Sequence, residues 1–145
     1  MPISPEPTGA YFVLEVDRVQ TVFQTCSGLG STSEVIDHRV VDQTGKEVTQ
    51  RIPGRLRWTN LVLERGLDKS ARLWDWRQQI IAGKWPEGRK NGFVTATLRD
   101  GAPIRRWEFI NGWPCEWQAS STEDTSGIVV ERIELAYEAL RVVSP

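Results

Sequence analysis

The stretch Asn60-Leu61-Val62-Leu63-Glu64-Arg65-Gly66 shows the alternation of side chains that is typical of a β-strand with one buried face. Leu61 and Leu63 fall on one side of such a strand, and the residues between and around them fall on the other. Together with the two residues before it, this stretch predicts a strand over Trp58–Arg65 whose leucine face packs against a core.

Upstream of this strand the sequence predicts three further strands and a long loop. Tyr11–Val16 and Val19–Cys26 are rich in β-branched and aromatic residues, and only two residues separate them, which is the spacing of a β-hairpin. Glu34–Val41 alternates imperfectly and predicts a third strand. The apolar signal then thins and turn residues recur, so a long polar loop is predicted over residues 42–57.

Downstream, one segment has the period of an α-helix. Leu73, Trp76 and Ile80 fall at positions i, i+3 and i+7, which places them on one helix face. Gly83 stands where a left-handed residue commonly ends a helix. These features predict a helix over about residues 68–82.

Strands are predicted again after the helix. They are Gly92–Arg99, Ile104–Ile110 and Trp113–Ala119. Asp100-Gly101 and Asn111-Gly112 separate them, and both dipeptides are typical of tight hairpin turns. The last segment, Ile128–Val143, fits a strand and a helix equally well by its apolar period.

The composition is that of one globular domain. The chain has 145 residues, of which 39% are hydrophobic and 26% are charged, and these are ordinary values. Its 18 Lys and Arg residues against 19 Asp and Glu residues give a net charge of −1, which argues against a general nucleic-acid binder. No apolar run approaches the roughly 18 residues of a membrane span, and the proline-rich start does not resemble a secretory signal. We therefore expect an extended arm at residues 1–9, a single domain at residues 10–145, and no stable membrane insertion.

The sequence contains no convincing catalytic or metal site. Cys26 or Cys115 could form a nucleophilic dyad with His38, the single histidine, but two reduced and partly buried thiols are the simpler interpretation. One histidine and two distant cysteines also lack the spacing of metal ligands. The acidic residues of the last segment resemble a solvated or ion-paired face: Glu131, Glu134 and Glu138. The prediction is that the chain is not an enzyme and binds no cofactor or metal.

Tryptophan is unusually frequent, with seven residues against two tyrosines and four phenylalanines. Trp74 and Trp76 fall on the predicted helix, whereas Trp113 and Trp117 have the same parity along a predicted strand and are expected on one side of a sheet. A flat aromatic platform could stack on sugar rings, so a carbohydrate-binding β-sandwich is the alternative hypothesis. Core packing or a subunit contact explains the same residues more simply.

The order of several motifs resembles the tail tube proteins of T4-like contractile phages and the inner tube proteins of related contractile injection systems. These motifs are Phe12–Asp17, Val22–Leu29, Glu34–Arg39, Ile52–Arg55 with Asn60–Gly66, Trp107–Pro114 and Val130–Glu138. The resemblance covers about residues 10–142, nearly the whole chain. Each motif is weak alone, and their common order makes the resemblance fairly specific.

The resemblance implies a mainly β fold with one α-helix, in which a β-sandwich or partial barrel joins its inner strands to those of other copies in a hexameric ring around a lumen. Stacked rings would form a tube inside a contractile sheath, started on a baseplate, with cargo or DNA passing through the lumen. The final segment is then a strand. The implied role is a structural subunit of a phage tail or injection particle, made in the bacterial cytoplasm. Polar sheet faces are expected to carry some of four residues: Arg99, Arg105, Glu131 and Glu134.

The predicted loop at residues 42–57 corresponds to the long loop with which proteins of this family reach a neighbouring subunit or ring. The resemblance therefore implies a subunit interface formed by the polar and turn-forming residues of this loop. They are Asp42, Gln43, Thr44, Lys46, Glu47, Arg51, Pro53, Arg55 and Arg57.

Overall fold

A computed structural model describes residues 10–121 and 129–144, and the predicted arm at residues 1–9 lies outside these ranges. The described residues form ten strands and two helices. The strands are β1 (Tyr11–Val16), β2 (Val19–Phe23), β3 (Thr25–Ser27), β4 (Ser31–Val41), β5 (Glu47–Trp58), β6 (Leu61–Gly66), β7 (Lys90–Thr97), β8 (Pro103–Ser121), β9 (Val129–Ala136) and β10 (Ala139–Val143). The helices are α1 (Arg72–Ile81) and α2 (Trp85–Gly88).

The longest strand, β8, organises the fold. It runs for 19 residues, so the two strands predicted on either side of Asn111-Gly112 are one strand. Asn111 has a left-handed backbone with φ +52°, and the register to β7 shifts here between Lys90 and Gly92, which marks a β-bulge. The Asn111 N–H donates to Asn91 Oδ1 at 2.9 Å. The predicted turn was wrong because an Asn in this conformation suits a bulge as well as a hairpin.

The strands close into a partial barrel. The first half of β8 pairs with β7 on one side and β10 on the other, and its second half pairs with β9. The order of hydrogen-bonded neighbours is β2-β1-β7-β8-β9-β6-β3. Only Gln24 separates β2 from β3, and its N–H donates to Glu64 O at 2.9 Å, so the path of strands returns towards its start. The predicted sandwich or partial barrel is confirmed.

The core fills this barrel with alternate residues of its strands. Leu61 and Leu63, the leucine face predicted from the sequence, are fully buried, and Phe109 of β8 and Ile133 of β9 are buried with them. Because each strand contributes every second residue, the opposite face of each strand is free to be polar.

Helix α1 lies against β8. Strand β7 pairs with β8 only as far as Gly112. Leu73 and Trp76 are buried as predicted, and the Trp76 indole N–H donates to Gly88 O at 2.7 Å. The helix is shorter than predicted and ends before Gly83, which has the expected left-handed φ of +83°. The short helix α2 lies in a segment that the sequence analysis did not assign to a helix.

The ambiguous last segment forms two strands along β8. They are β9 and β10, separated by Tyr137 and Glu138, and the Glu138 N–H donates to Ile110 O at 2.9 Å. The Tyr137 hydroxyl donates to Thr59 O at 2.6 Å, and burial raises the pKa of Tyr137 to about 12. This bond ties the end of β9 to the segment that joins β5 to β6.

Candidate assembly interface

The predicted loop at residues 42–57 is mostly a strand, and this part of the prediction was wrong. Strand β5 begins at Glu47 and pairs antiparallel with β4 along its whole length, so only residues 42–46 form a turn. The two strands make a separate two-stranded sheet that does not join the barrel. Its residues lack a core pattern because nearly all of them are exposed, and main-chain pairing rather than burial defines the strand.

The tip of this β4–β5 hairpin is held by Asp42. Its carboxylate accepts hydrogen bonds from the N–H groups of Thr44 and Lys46, both at 2.9 Å, and from the Thr44 hydroxyl at 2.6 Å. These bonds hold the pKa of Asp42 below its ordinary value. Two of the predicted interface residues, Asp42 and Thr44, therefore bond to each other and shape the turn, while Gln43 and Lys46 are exposed beside them.

One face of the hairpin is charged. Arg51 pairs with Asp37 at 3.3 Å, and Glu47 pairs with Arg39 at 3.4 Å, with all four side chains well exposed. Exposed ion pairs of this kind contribute roughly 0–1 kcal/mol each. The remaining predicted interface residues are also exposed on β5: Pro53, Arg55 and Arg57.

The other face of the hairpin is mixed. Ile36 lies opposite Ile52, and Val40 lies opposite Val48, with the polar pair His38–Gln50 between them on the same face. Both isoleucines are exposed. The alternation of Ile36, His38 and Val40 in the sequence already indicated this face.

The hairpin is a long extension of the barrel. The register runs from the pair Ser31–Trp58 to the pair Val41–Glu47, ten residue steps along β4 and eleven along β5, which corresponds to about 33 Å. The hairpin leaves the barrel after β3 and returns at β6, and the Thr59 N–H donates to Gly30 O at 3.0 Å where it leaves. The hairpin therefore carries Ile36 and Ile52 away from the core that buries Leu61 and Leu63.

The second half of β8, Trp113–Ser121, has a free edge. It pairs with β9 on one side, and no strand among residues 10–121 and 129–144 pairs with the other. The Leu67 N–H donates to Val129 O, so these two residues form a hydrogen-bonded pair across β6 and β9. The main-chain N–H and C=O groups of the odd-numbered residues of β9 therefore face β6, and those of the even-numbered residues face β8. By the register of β8 and β9, the main-chain groups of Trp117 and Ala119 then point outwards.

The start of the free edge is blocked. Pro114 has no N–H to donate, and its carbonyl accepts a hydrogen bond from Arg77 of α1 at 3.2 Å. Trp74 of α1 packs edge-to-face on Trp117 with the ring centres 4.8 Å apart. The flank of the helix therefore lies beside the free edge.

This part of β8 forms a four-stranded wall with β9, β6 and β3, and the outer face of the wall is polar. Arg132 lies at its centre and pairs with carboxylates from three strands: Glu116 at 2.7 Å, Glu134 at 3.3 Å and Glu64 at 3.6 Å. Three carboxylates around one guanidinium leave this cluster with a net charge of −2.

The four residues expected on polar faces divide between several sites. Glu134 lies on the outer face of the wall, and Arg99 and Arg105 are exposed near the β7–β8 turn. Glu131 faces the core instead, with 1% of its side chain exposed. It accepts hydrogen bonds from Arg65 at 2.8 Å and from the Trp117 indole at 2.7 Å, which makes burial of its charge tolerable. Three of the four residues thus lie on the surface, and Glu131 is the one that does not.

The aromatic platform expected from Trp113 and Trp117 does not form. The register of β8 shifts between Pro114 and Glu116, so the parity of side chains changes between the two tryptophans. Trp113 lies opposite Ala136 on the polar side of the wall, whereas Trp117 lies opposite Ile133 on the core side. The alternative hypothesis of a sugar-binding stripe therefore loses its geometric basis.

Neither thiol is hydrogen-bonded to an imidazole within the part of the chain that the structure describes. Burial raises the pKa of Cys26 to about 12, and burial together with the charge of Glu134 raises the pKa of Cys115. Both thiols are unpaired and partly buried. His38 lies opposite Gln50 in the hairpin, while Cys115 contacts Glu134 O at 3.5 Å. A raised thiol pKa disfavours the thiolate that nucleophilic catalysis needs.

None of the helices among the described residues is long and apolar enough to span a membrane. Among residues 10–121 and 129–144, no group of three or more His, Cys, Asp or Glu side chains is placed to hold a metal ion.

A barrel with an open sheet edge and a long exposed hairpin offers surfaces on which further copies can pack. The chain belongs to the family described as the T4-like virus tail tube protein gp19, which matches residues 8–141. It is a structural tube subunit, and the family is one of structural proteins. None of the curated proteins compared by sequence matches the chain.

Solved structures with similar folds come from contractile systems. A chain of the sheath–tube complex of the PVC extracellular contractile injection system is 22% identical with a TM-score of 0.70, over 98% of this chain and 93% of that one. A chain of the anti-feeding prophage baseplate is 20% identical with a TM-score of 0.69, over 99% and 98%. Hcp1 from Flavobacterium johnsoniae is 14% identical with a TM-score of 0.57, over 91% and 94%. At these identities the likeness shows the fold.

Proposed function

We propose that six copies of this chain form a ring and that rings stack into the inner tube of a contractile particle. The observation that carries this proposal is the free edge of β8, which leaves outward main-chain groups unpaired on a strand whose other edge pairs with β9. Free edges of this length are usually paired or covered. A ring of identical subunits covers every such edge without leaving a terminal one.

In this ring the free edge of one copy pairs with the β3 side of the next. Strand β3 lies at the opposite end of the four-stranded wall from β8, so joining the two ends extends the wall in one direction around an axis. Such a contact uses two different surfaces of each subunit and closes into a ring when the rotation is right. Ring-to-ring contacts do not close and therefore give a tube.

The polar face of the wall lines the lumen in this arrangement. Its central arginine is already paired with three carboxylates, so it offers no free cation to a phosphate backbone. A wall of this kind suits passage of protein cargo or DNA without adhesion. The opposite face of the wall remains the packed core.

The β4–β5 hairpin reaches a neighbouring copy. The exposed pair Ile36 and Ile52 favours burial against a neighbour, and a length of about 33 Å allows the hairpin to reach one. The residues predicted from the sequence contribute to this contact in the proposal, with Gln43 and Lys46 at the tip of the hairpin and Arg55 and Arg57 along β5. Asp42 acts within it by holding the turn.

The partners and setting follow from the same assignment. Related folds occur in a sheath–tube complex and in a baseplate, so a sheath protein and a tube-initiating baseplate are the expected partners. The chain is expected to be made in the bacterial cytoplasm and assembled into a phage tail or an injection particle. It acts mechanically and carries out no catalysis.

Replacing Ala119 with proline tests the ring contact. The Ala119 main chain faces the free edge, so proline removes an outward donor without breaking a bond to β9. We expect Ala119→Pro to keep the far-ultraviolet circular dichroism of the wild type but to form no rings or tubes by negative-stain microscopy. The matched control, Ala119→Thr, keeps the N–H and should assemble. Assembly of Ala119→Pro as efficiently as the wild type would contradict the proposed edge pairing.

A further inference from the structure

Strand β2 has a free edge of its own, separate from the free edge of β8. It pairs with β1 on one side, and no strand among residues 10–121 and 129–144 pairs with its other side. The Gln24 N–H, just after β2, points away from β1 and donates to Glu64 O. Because main-chain groups alternate in direction along a strand, the N–H and C=O groups of Gln20 and Val22 also point away from β1, towards this free edge.

A groove of about 660 Å³ runs beside the free edge of β2. Residues 19–22 form one side of it, and residues between 65 and 72 form the other. On the core face of β2, Val19 lies opposite the buried Val16 and is nevertheless 42% exposed. The groove therefore offers unpaired main-chain groups and an incompletely covered apolar side chain, which are the features that an extended segment can use to add as a strand.

The predicted arm at residues 1–9 has the sequence of a strand that can pair along one edge only. The even-numbered residues from 4 to 8 are polar and have N–H groups, whereas Pro5 and Pro7 between them have none. In an extended chain the main-chain groups of these two sets point in opposite directions, so the donors share one edge. The same alternation would place Ile3 with the two prolines on one face and the polar side chains on the other.

Antiparallel pairing of this segment with β2 satisfies both surfaces. Directly opposite residues of an antiparallel pair have their side chains on the same face of the sheet. A register that sets Ser4 opposite Val22 brings the donors of the arm to the free main-chain groups of β2 and places its polar side chains on the outer face. Pro7 then lies opposite Val19 on the core face and covers it. Parallel pairing would turn the prolines outwards and place polar side chains beside the core.

The arm that fills this groove has to come from another copy. In the antiparallel register Gly9 lies opposite Asp17, whereas Phe12 of the same chain pairs with Phe23, six residue steps further along β2. Six steps correspond to about 20 Å along a strand, but the three steps from Gly9 to Phe12 span at most about 11 Å. A chain therefore cannot place its own arm on its own β2 edge in this direction.

We infer that residues 3–8 of one copy add as an antiparallel strand to the free edge of β2 in a second copy. Main-chain hydrogen bonds hold the arm, and the alternation of its side chains fixes which face is turned to the core. This contact closes an edge that the proposed pairing of β8 leaves open. The inference rests on the proposed function in requiring several copies, and it assigns the arm and the β2 edge to each other.

Cross-linking between two differently substituted proteins tests the inference. Both carry Cys26→Ser and Cys115→Ser to remove the native thiols, and they bear tags of different mass. One also carries Ser4→Cys in the arm, and the other carries Val22→Cys, at a residue that is 55% exposed. A short bismaleimide is added to the mixed assembly, and any heterodimer must then join two copies. The matched control replaces Ser4→Cys with Pro5→Cys, whose side chain would lie on the core face of the pairing.

We expect heterodimers from Ser4→Cys with Val22→Cys, and at least several-fold fewer from the Pro5→Cys control. Equal yields from the two arm positions would overturn the antiparallel pairing. Rings or tubes that are visible by microscopy without preferential Ser4–Val22 cross-linking would overturn the inference and leave the proposed function intact. A wild type that never assembles would overturn both.

Amide hydrogen exchange resolved residue by residue gives a second readout that needs no engineered thiol. The Val22 N–H points to the groove, whereas the Thr21 N–H points to β1 and serves as an internal reference. In wild-type assemblies we expect the Val22 N–H to exchange at least about tenfold more slowly than in the isolated subunit, with a much smaller change at Thr21. Equal exchange of the Val22 N–H in the two states would overturn the inference.

Two variants show whether the arm provides this protection. Ser4→Pro with Glu6→Pro removes two donors from the pairing edge, so the Val22 N–H should exchange within about twofold of its rate in the isolated subunit. The matched control, Pro5→Ala with Pro7→Ala, changes only the opposite edge of the arm and should keep the protection. Protection that persists in the Ser4→Pro, Glu6→Pro protein would mean that another segment covers this edge, and it would overturn the inference.

Discussion

The buried carboxylate of Glu131 gives the sharpest test of the fold. It is 1% exposed and accepts hydrogen bonds from Arg65 and from the Trp117 indole. In Glu131→Ala the Arg65 guanidinium, which is 10% exposed, loses its buried partner and keeps only Asp68 at 2.9 Å. Removing one member of a buried pair costs about 3–5 kcal/mol, and the remaining Asp68 contact favours the lower half of that range. We expect a loss of about 3–4 kcal/mol of unfolding free energy, including the lost indole bond.

Urea unfolding at a concentration below assembly measures this loss. The nearly isosteric Glu131→Gln keeps the shape of the side chain but only one acceptor oxygen, so its NH2 group faces one of the two donors; it should also be destabilised, by somewhat less than Glu131→Ala. The control is Glu116→Gln, whose side chain is 39% exposed on the polar wall and should cost under about 1 kcal/mol. If Glu131→Ala cost no more than Glu116→Gln, the buried pair described above would be wrong.

Three further predictions concern the backbone, the thiols and the hairpin tip. A Cβ at Gly28 would lie 1.8 Å from a carbonyl oxygen, so Gly28→Ala should fail to fold or lose several kcal/mol of unfolding free energy, as measured in urea. Gly45 has open space around it, so the control Gly45→Ala should lose only about 1 kcal/mol. Because its pKa is raised to about 12, Cys26 should react with a thiol reagent at pH 8 far more slowly in the folded protein than after denaturation, and equal rates would contradict its burial. The bonds at Asp42 lower its pKa, so its contribution to the tip is present above the ordinary value near 4 and is lost as the pH falls through the lowered value. The protection of the tip amides, relative to their intrinsic exchange rate at each pH, should therefore fall below that point in the wild type and stay unchanged in Asp42→Ala.

Local spacing was enough to predict the first hairpin and the helix. Two residues between apolar runs predicted the β1–β2 turn, and Asp17 and Arg18 both take positive φ there, at +55° and +63°, although neither is glycine. The helix was predictable because Leu73 and Trp76 bury one face against β8. In both cases the signal and the structure depend on residues close together in the chain.

The errors arose where distant pairing or a single inserted residue decided the structure. The β5 strand was missed because its exposed residues are defined by pairing with β4, which leaves little trace in hydrophobic pattern. The parity of Trp113 and Trp117 was reversed by a bulge that a simple count of residues does not reveal. Glu131 shares the parity of buried Ile133 and Leu135, so this clue to its burial was in the sequence.

The subunit interface stays a prediction. The resemblance placed it at residues 42–57, which form the tip and the second strand of the β4–β5 hairpin, and the exposed isoleucines Ile36 and Ile52 were not among the predicted residues. Asp42 was included for its place in the loop and is engaged in its own turn. A contact between copies is not encoded in the periodicity of one chain, which reports only what the chain buries by itself.

Electron microscopy of the purified protein over a range of concentrations tests directly whether the chain assembles into rings and tubes. We expect sixfold rings that stack into tubes, with the edge of β8 paired to the neighbouring copy in averaged images at sufficient resolution. We also expect Ala119→Pro to abolish both rings and tubes under the same conditions. Monomers at every concentration, or rings in which the edge of β8 faces solvent, would contradict the proposed function.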